Sequence, residues 1–129
     1  MSTVEKPFIV EGLLESLQEK TQEEKQVIVH CCLPKSPIFG NLIRIWQSTF
    51  LIDDSLGHRS RLLFADNITM FPYWTEVPTN QDFWFTLIFS GLPEDCTSFD
   101  LKEIIPEDGG FCIENIRRNN SDIYRVKIV

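Results

Sequence analysis

The run Phe83 to Phe89 constrains the fold of this chain more than any other segment. It reads FWFTLIF, and its odd positions are all large and apolar: Phe83, Phe85, Leu87 and Phe89. Because side chains alternate between the two faces of a strand, these residues predict an apolar face about 20 Å long at 3.3 Å per residue. The even positions Trp84, Thr86 and Ile88 are only half polar. We therefore predict a central strand whose outer face is also partly covered.

Other segments also have strand patterns. Val27 to Leu33 is β-branched and apolar and ends before Pro34, because proline cannot donate to a ladder. Residues 41–53 form the longest β-like stretch, and its alternation changes phase near Gln47 and Ser48, which predicts a bulge or bend. Shorter strands are predicted at 61–65, 67–70 and 99–101, with an irregular edge segment between Pro72 and Pro78.

The end of the chain has the pattern of a hairpin. Residues 111–118 and 123–128 are strand-like, and Asn119 to Asp122 form a turn between them. A turn centred on Asn120 and Ser121 would place Glu114 opposite Lys127. The charges would then attract, so the sequence predicts this register.

The pattern as a whole predicts an all-β fold. About seven short strands at roughly ten-residue spacing, without helical periods, favour an antiparallel immunoglobulin-like β-sandwich, with an OB-like barrel as the alternative. The 129 residues suit one domain. We assign residues 27–129 to the β-sandwich domain and residues 1–26 to an N-terminal arm. Leu13, Leu14 and Leu17 have helical spacing, so the arm is either a short helix or a flexible tail.

Three sequence features resemble a known group of domains. The first is the run from Phe85 to Pro93, which ends in FSGLP, and the second is Phe99 to Glu103, FDLKE. The third is the step from Gly110 to Phe111. Together with the long segment Ile43 to Asp53, they resemble the small immunoglobulin-like β-sandwich modules of uncharacterised bacterial proteins. The resemblance covers about the last hundred residues and implies a fold and an accessory or interaction role, with no catalytic residues.

Composition excludes several classes of function. Ten Phe, three Trp and two Tyr residues would be unfavourable in water, so the chain is not a disordered acidic tail. Lys and Arg number 12 against 19 Asp and Glu, a net charge of −7, which opposes nucleic-acid binding. Binding of an oligonucleotide or an oligosaccharide on an aromatic sheet face is one hypothesis for the function. Without an 18-residue apolar run or a secretory signal, we expect a cytoplasmic protein that does not bind membranes.

The four cysteines are Cys31, Cys32, Cys96 and Cys112. A vicinal pair rarely forms a sound disulfide, and a reducing compartment keeps thiols free. A zinc site that includes His30 lacks the C-x-x-C spacing of structural zinc ligands. We therefore expect buried free thiols and no metal or other cofactor.

One group of residues has a physical reason to form a contact patch. Arg44 and Trp46 share a face at positions i and i+2 of a strand, so a guanidinium lies beside an indole. Arg59 or Arg61, and Trp84, extend the candidate patch, because Trp and Arg are enriched at interfaces. The alternative is that Trp46 fills the core and the aliphatic part of Arg44 covers it.

The segment 53–61 offers the alternative function. Asp53, Asp54, His58 and Ser60 are the residue types of a metal-dependent or Ser/His hydrolase, but no nucleophile elbow or oxyanion hole accompanies them. The competing interpretation is a solvated turn in which an Asp accepts backbone N–H bonds. We therefore predict a non-enzymatic protein that acts through protein–protein contact or self-association, or as an accessory module, with this hydrolase as the alternative.

Overall fold

A computed structural model of the chain describes residues 25–35 and 41–128. These residues form nine strands: β1 (Val27–Leu33), β2 (Asn41–Ile43), β3 (Thr49–Asp53), β4 (Arg59–Asp66), β5 (Thr75–Val77), β6 (Phe83–Phe89), β7 (Ser98–Glu103), β8 (Cys112–Arg117) and β9 (Ile123–Lys127). Within these ranges there is no helix, and so none that could cross a membrane. The all-β prediction is confirmed for this part of the chain. The predicted arm lies, up to residue 24, outside the described residues.

Seven of the strands form one sheet in the order β8-β7-β3-β4-β6-β1-β9. All neighbours are antiparallel except β1 and β9, which run parallel. The other two strands, β2 and β5, pair antiparallel in a separate small sheet. The antiparallel prediction is confirmed for every neighbouring pair except β1 with β9, and the described residues form nine strands where about seven were predicted.

Strands β1 and β6 have the bounds predicted from their patterns, and they pair along their whole length, from Val27 opposite Phe89 to Leu33 opposite Phe83. The alternation of β6 sets the core, since Phe85, Leu87 and Phe89 are 1%, 0% and 0% exposed. A fully buried side chain of this size contributes about 1.5 to 3 kcal/mol. The central position predicted for this strand is confirmed, because β4 and β1 flank it.

The long strand predicted over residues 41–53 is wrong as a single element. The chain bends at Gln47 and divides into β2 and β3, which belong to different sheets. Between them Ile45 donates to Thr69 O at 2.9 Å and accepts from Phe71 N at 2.8 Å. These bonds hold Ile45 beside residues 69–71, so β2 does not continue in line with β3. The predicted bend is therefore confirmed but is larger than expected. The predicted strand at 67–70 is reduced to one bridge, Met70 with Ile45.

The predicted C-terminal hairpin is wrong. Strand β8 pairs with β7, and β9 pairs with β1, so Lys127 lies opposite Cys32 instead of Glu114. The turn residues do form local bonds, since Asn119 Oδ1 accepts the N–H groups of Ser121 and Asp122 at 3.1 and 2.7 Å. The link 118–122 therefore connects opposite edges of the sheet.

Because so short a link joins β8 to β9, the sheet must curl until its two edges lie close together, in a nearly barrel-shaped form. The core fills the inside of this curl. Its fully buried members include Val29, Leu51, Leu87, Phe99 and Leu101. Tyr124 joins the core from β9 and meets the Phe99 ring edge-on at 5.0 Å.

Candidate functional site

Large aromatic side chains are exposed where the small β2–β5 sheet joins the rest of the fold. Phe71, Tyr73 and Trp74 are 44%, 71% and 52% exposed. Phe71 and Trp74 lie next to Arg44 and Trp46, Tyr73 comes between Phe71 and Trp74 in the chain, and we call these five residues the aromatic surface. Clustered exposed aromatic groups on a folded domain mark interaction sites more often than isolated ones do.

Four members of the aromatic surface are packed against one another. The rings of Trp46 and Phe71 stack with centroids 3.9 Å apart and planes 22° apart. The guanidinium carbon of Arg44 lies 3.8 Å from the Trp74 ring centroid, 4.6 Å from that of Phe71 and 5.9 Å from that of Trp46. All three distances fall within cation–π range. The stack therefore exists before any partner arrives.

Polar contacts hold the Arg44 guanidinium in this position. It donates to Pro72 O at 3.3 Å and lies 3.7 Å from a carboxylate oxygen of Glu107. Its side chain is only 15% exposed, although the rings around it face solvent. Each cation–π contact at a partly exposed site is worth about 0.5 to 1 kcal/mol. Arg44 thus fixes the orientation of the exposed rings.

Local hydrogen bonds explain why residues 69–75 present their rings outward. The Phe71–Pro72 peptide is cis, and Tyr73 N–H donates to Met70 O at 2.9 Å, which closes a turn. Thr69 N–H donates to Thr75 Oγ1 at 2.8 Å, and the Thr69 hydroxyl donates to Tyr73 O at 3.1 Å. The hydroxyls of Thr69 and Thr75 are also hydrogen-bonded to each other, at 2.8 Å. Pro72 supplies no N–H, so its place at the tip of the turn leaves no donor unpaired.

Glu103 holds the backbone of one member of the aromatic surface, Trp46, through a hydrogen bond. It is 7% exposed, and its two oxygens accept Trp46 N–H at 3.0 Å and Phe111 N–H at 3.1 Å. Burial raises the pKa of this carboxyl, while the N–H bonds from Phe111 and Trp46 and the charge of Arg44 act in the opposite direction. The buried carboxyl fixes the backbone that carries Trp46.

The five residues of the predicted contact patch lie in four separate places. Arg44 and Trp46 are together, but in the irregular link between β2 and β3 instead of in one strand. Arg59 lies over the Phe50 ring at 5.1 Å. Arg61 lines a cleft of about 830 Å³ that His58 and Arg118 also line. Trp84 is on β6, beside a hollow of about 320 Å³ lined also by His30 and Arg125.

The sequence patterns did not identify Phe71, Tyr73 or Trp74 as contact residues and indicated only an irregular edge segment between Pro72 and Pro78. A signal was present in the sequence, since FPYW packs three aromatic residues around one proline. Proline favours turns, and turns lie at the surface, so the aromatic residues beside Pro72 could have been recognised as exposed.

The Asp53–Ser60 loop has the geometry of a capped turn. Asp53 Oδ1 accepts from Ser55 N at 2.9 Å, Ser55 Oγ at 3.0 Å and Leu56 N at 3.4 Å. Ser60 is buried and donates to Gly91 O at 2.9 Å. His58 is exposed. Asp53 Oδ1 and the Ser60 hydroxyl of the hydrolase hypothesis are therefore both engaged in hydrogen bonds, whereas Asp53 Oδ2 is buried and has no hydrogen-bond partner among the described residues.

Replacing Asp53 with alanine is expected to lower the free energy of unfolding by about 2 kcal/mol, because the loop N–H groups lose their acceptor. The N–H bond from Ser55 lowers the pKa of Asp53 below 3.8, against burial. Its contribution is therefore present above pH 3.8 and is lost as the pH falls through the folded pKa. Urea unfolding measures both effects. Asp53→Asn keeps an acceptor, so a loss as large as that of alanine would contradict this role.

The cysteines are unpaired in the structure, and the predicted burial is confirmed for Cys31, Cys32 and Cys96 but is wrong for the exposed Cys112. Burial raises the pKa of Cys31 to about 12, which makes it a poor metal ligand and nucleophile. Cys32 lies on the opposite face of β1 from Cys31, and its neighbour across the ladder on β6 is Trp84. Across residues 25–35 and 41–128, no three His, Cys, Asp or Glu side chains converge as a metal site.

Neither protein-family models, nor curated proteins, nor solved structures gave a match to this chain.

Proposed function

We propose that this protein is a non-enzymatic binding module that contacts another protein through the aromatic surface. The observation that carries this proposal is the prearranged stack of Arg44, Trp46, Phe71 and Trp74, with Tyr73 exposed beside it. Rigid aromatic groups lose little conformational freedom on binding, and Trp, Tyr and Arg dominate the energetics of interfaces. The Asp53–Ser60 loop serves the fold by its hydrogen bonds, so we assign it no reaction.

The charges around the aromatic surface define the partner. Glu107 is exposed and lies 3.7 Å from Arg44, the exposed Asp108 follows it in the chain, and the exposed Glu76 comes two residues after Trp74. A segment that places proline or aliphatic side chains on the rings and Lys or Arg beside the carboxylates complements this surface. We propose an extended protein segment of that composition as the partner.

We propose further that the curled sheet is an immunoglobulin-like sandwich, related to the small bacterial modules that the sequence resembles. Tyr124 supports this assignment. Its hydroxyl accepts the N–H of Asn119, five residues earlier, at 3.0 Å, as in the tyrosine corner of such sandwiches. The buried free thiols suit a reducing compartment, and we place the protein in the cytoplasm.

Selection from a library of random peptides of about twelve residues tests the proposed partner chemistry. We expect enriched peptides to contain proline and Lys or Arg, with dissociation constants of about 1 to 100 µM. Trp74→Ala and Tyr73→Ala are each expected to weaken binding about tenfold or more, because each removes a ring from the contact. Fluorescence anisotropy with one labelled, enriched peptide measures this.

Leu56→Ala is the matched control, since Leu56 is 68% exposed and lies outside the aromatic surface. Its binding should equal that of the wild type. The proposal fails if enriched peptides bind Trp74→Ala and Tyr73→Ala as tightly as the wild type, or if no sequence is enriched.

A further inference from the structure

The sheet face that points away from the core on β4, β6, β1 and β9 carries its side chains in straight rows across the four strands. Strand register aligns one apolar row, which consists of Phe64, Ile88, Ile28 and Ile123. The next row along the strands is polar and consists of Asp66, Thr86, His30 and Arg125. We call this surface the outer face.

The apolar row remains accessible at both ends. Phe64 is 57% exposed and Ile123 is 45% exposed, and Trp84, on the same face of β6, is 45% exposed. Apolar side chains on one face of a strand usually pack against a second layer. Their exposure here is the feature expected of a face that another molecule covers.

The charges at the two ends of the polar row have opposite signs. Asp66 is at the β4 end, and Arg125 is at the β9 end, with Lys127 two residues further along the same strand. Between them His30 Nδ1 and Thr86 Oγ1 are hydrogen-bonded at 2.8 Å. The order of the row is therefore acid, hydroxyl, imidazole, base.

This order makes the outer face complementary to itself. Rotation by half a turn about an axis parallel to the strands places β4 over β9 and β6 over β1 of a second copy. Phe64 then meets the Ile123 of the other copy, and Asp66 meets its Arg125. A two-fold interface repeats each of these contacts twice.

We infer that two copies of this chain associate through the outer face. Sheets pack face to face with nearly aligned strands, as this arrangement requires. Laid flat, these four strands of five to eight residues cover roughly 19 by 23 Å, or about 440 Å² per copy, and the curl of the sheet makes this area an upper limit. This is below the standard size of a stable interface, so the dimer is transient and depends on concentration.

Charge reversal tests the inference directly. Sedimentation velocity from about 5 to about 500 µM should show wild-type protein shifting from monomer to dimer. Asp66→Arg and Arg125→Asp should each raise the dissociation constant about tenfold or more, because each places like charges together twice. The double variant Asp66→Arg/Arg125→Asp should restore dimerisation to within about threefold of the wild type.

Two controls separate this surface from others. Lys102→Asp makes the same charge change as Arg125→Asp at an exposed position on β7, which is not one of the four strands of the outer face, and should leave the dimer intact. Trp74→Ala should also leave it intact, so this inference and the proposed function fail independently. A wild type that stays monomeric throughout the range overturns the inference. So does a double variant that is folded by circular dichroism but does not regain the dimer, as expected if something other than a second copy covers the face.

Discussion

Replacing Glu103 with alanine is expected to lower the free energy of unfolding by about 3 kcal/mol, because two partly buried N–H groups lose their acceptor and a small cavity remains. The groups are those of Trp46 and Phe111, at 3.0 and 3.1 Å from the carboxyl oxygens. Since Trp46 carries the stack, peptide binding at the aromatic surface should weaken as well. Urea unfolding followed by far-ultraviolet circular dichroism measures the first effect.

Glu103→Gln is the matched control for this prediction. The amide retains one acceptor, so about half of the loss is expected. Burial raises the pKa of Glu103 above 4.5 in the folded protein. Its contribution is therefore complete below the unfolded pKa and decreases as the pH rises through the folded pKa. The stability difference between wild type and Glu103→Gln should be larger at about pH 4 than at about pH 7, and an unchanged or reversed difference would contradict the assignment.

Replacing Arg118 with alanine is expected to cost about 2 to 3 kcal/mol, because it removes two charge-assisted hydrogen bonds from the partly buried carboxylate of Asp122. Arg118 makes two bonds to Asp122, at 2.7 and 3.0 Å, and the two side chains are 18% and 14% exposed. It also donates to Pro93 O at 2.7 Å. The pair closes the link between β8 and β9, so thermal and urea unfolding should both shift strongly.

The double variant Arg118→Ala/Asp122→Ala should be more stable than Arg118→Ala, because no unpaired charge is left. Burial raises the pKa of Asp122, but hydrogen bonds from Arg118 and Tyr124 outweigh it and bring the pKa below 3.8. Its contribution is present above that pH and is lost as the pH falls through the folded pKa. If Arg118→Ala loses less than about 1 kcal/mol, the link is not held by this pair.

Short-range patterns were sufficient to predict the strands that build the core. The alternation of Phe83 to Phe89 and the β-branched run of Val27 to Leu33 set both the bounds of β6 and β1 and the buried face of β6. Such patterns work because burial on one face is a local property of a strand. They also predicted a turn in which an Asp accepts backbone N–H bonds, since Asp favours bonds to nearby N–H groups, although Asp53 is buried and was expected to be solvated.

The sequence patterns could not predict which distant segments pair with each other. Residues 111–128 satisfy every local rule for a hairpin, but β9 instead pairs with β1 and buries Tyr124 against Phe99. Burial of this aromatic group outweighs the charge pair that the hairpin would gain, since exposed pairs contribute less than about 1 kcal/mol. The aromatic surface could not be predicted for the same reason, because the contact between Arg44 and Trp74 depends on how residues 43–46 and 69–75 pack together.

The central claim is that the aromatic surface is where this protein meets a protein partner. Site-specific photo-crosslinking tests it most directly, with benzoylphenylalanine placed at Tyr73 and, as the control, at Leu56, in cells of the organism that encodes the chain. We predict a discrete crosslinked complex from position 73 only, which disappears when Trp74→Ala is added. Identical crosslinks from both positions, or a complex that survives Trp74→Ala, would contradict the account.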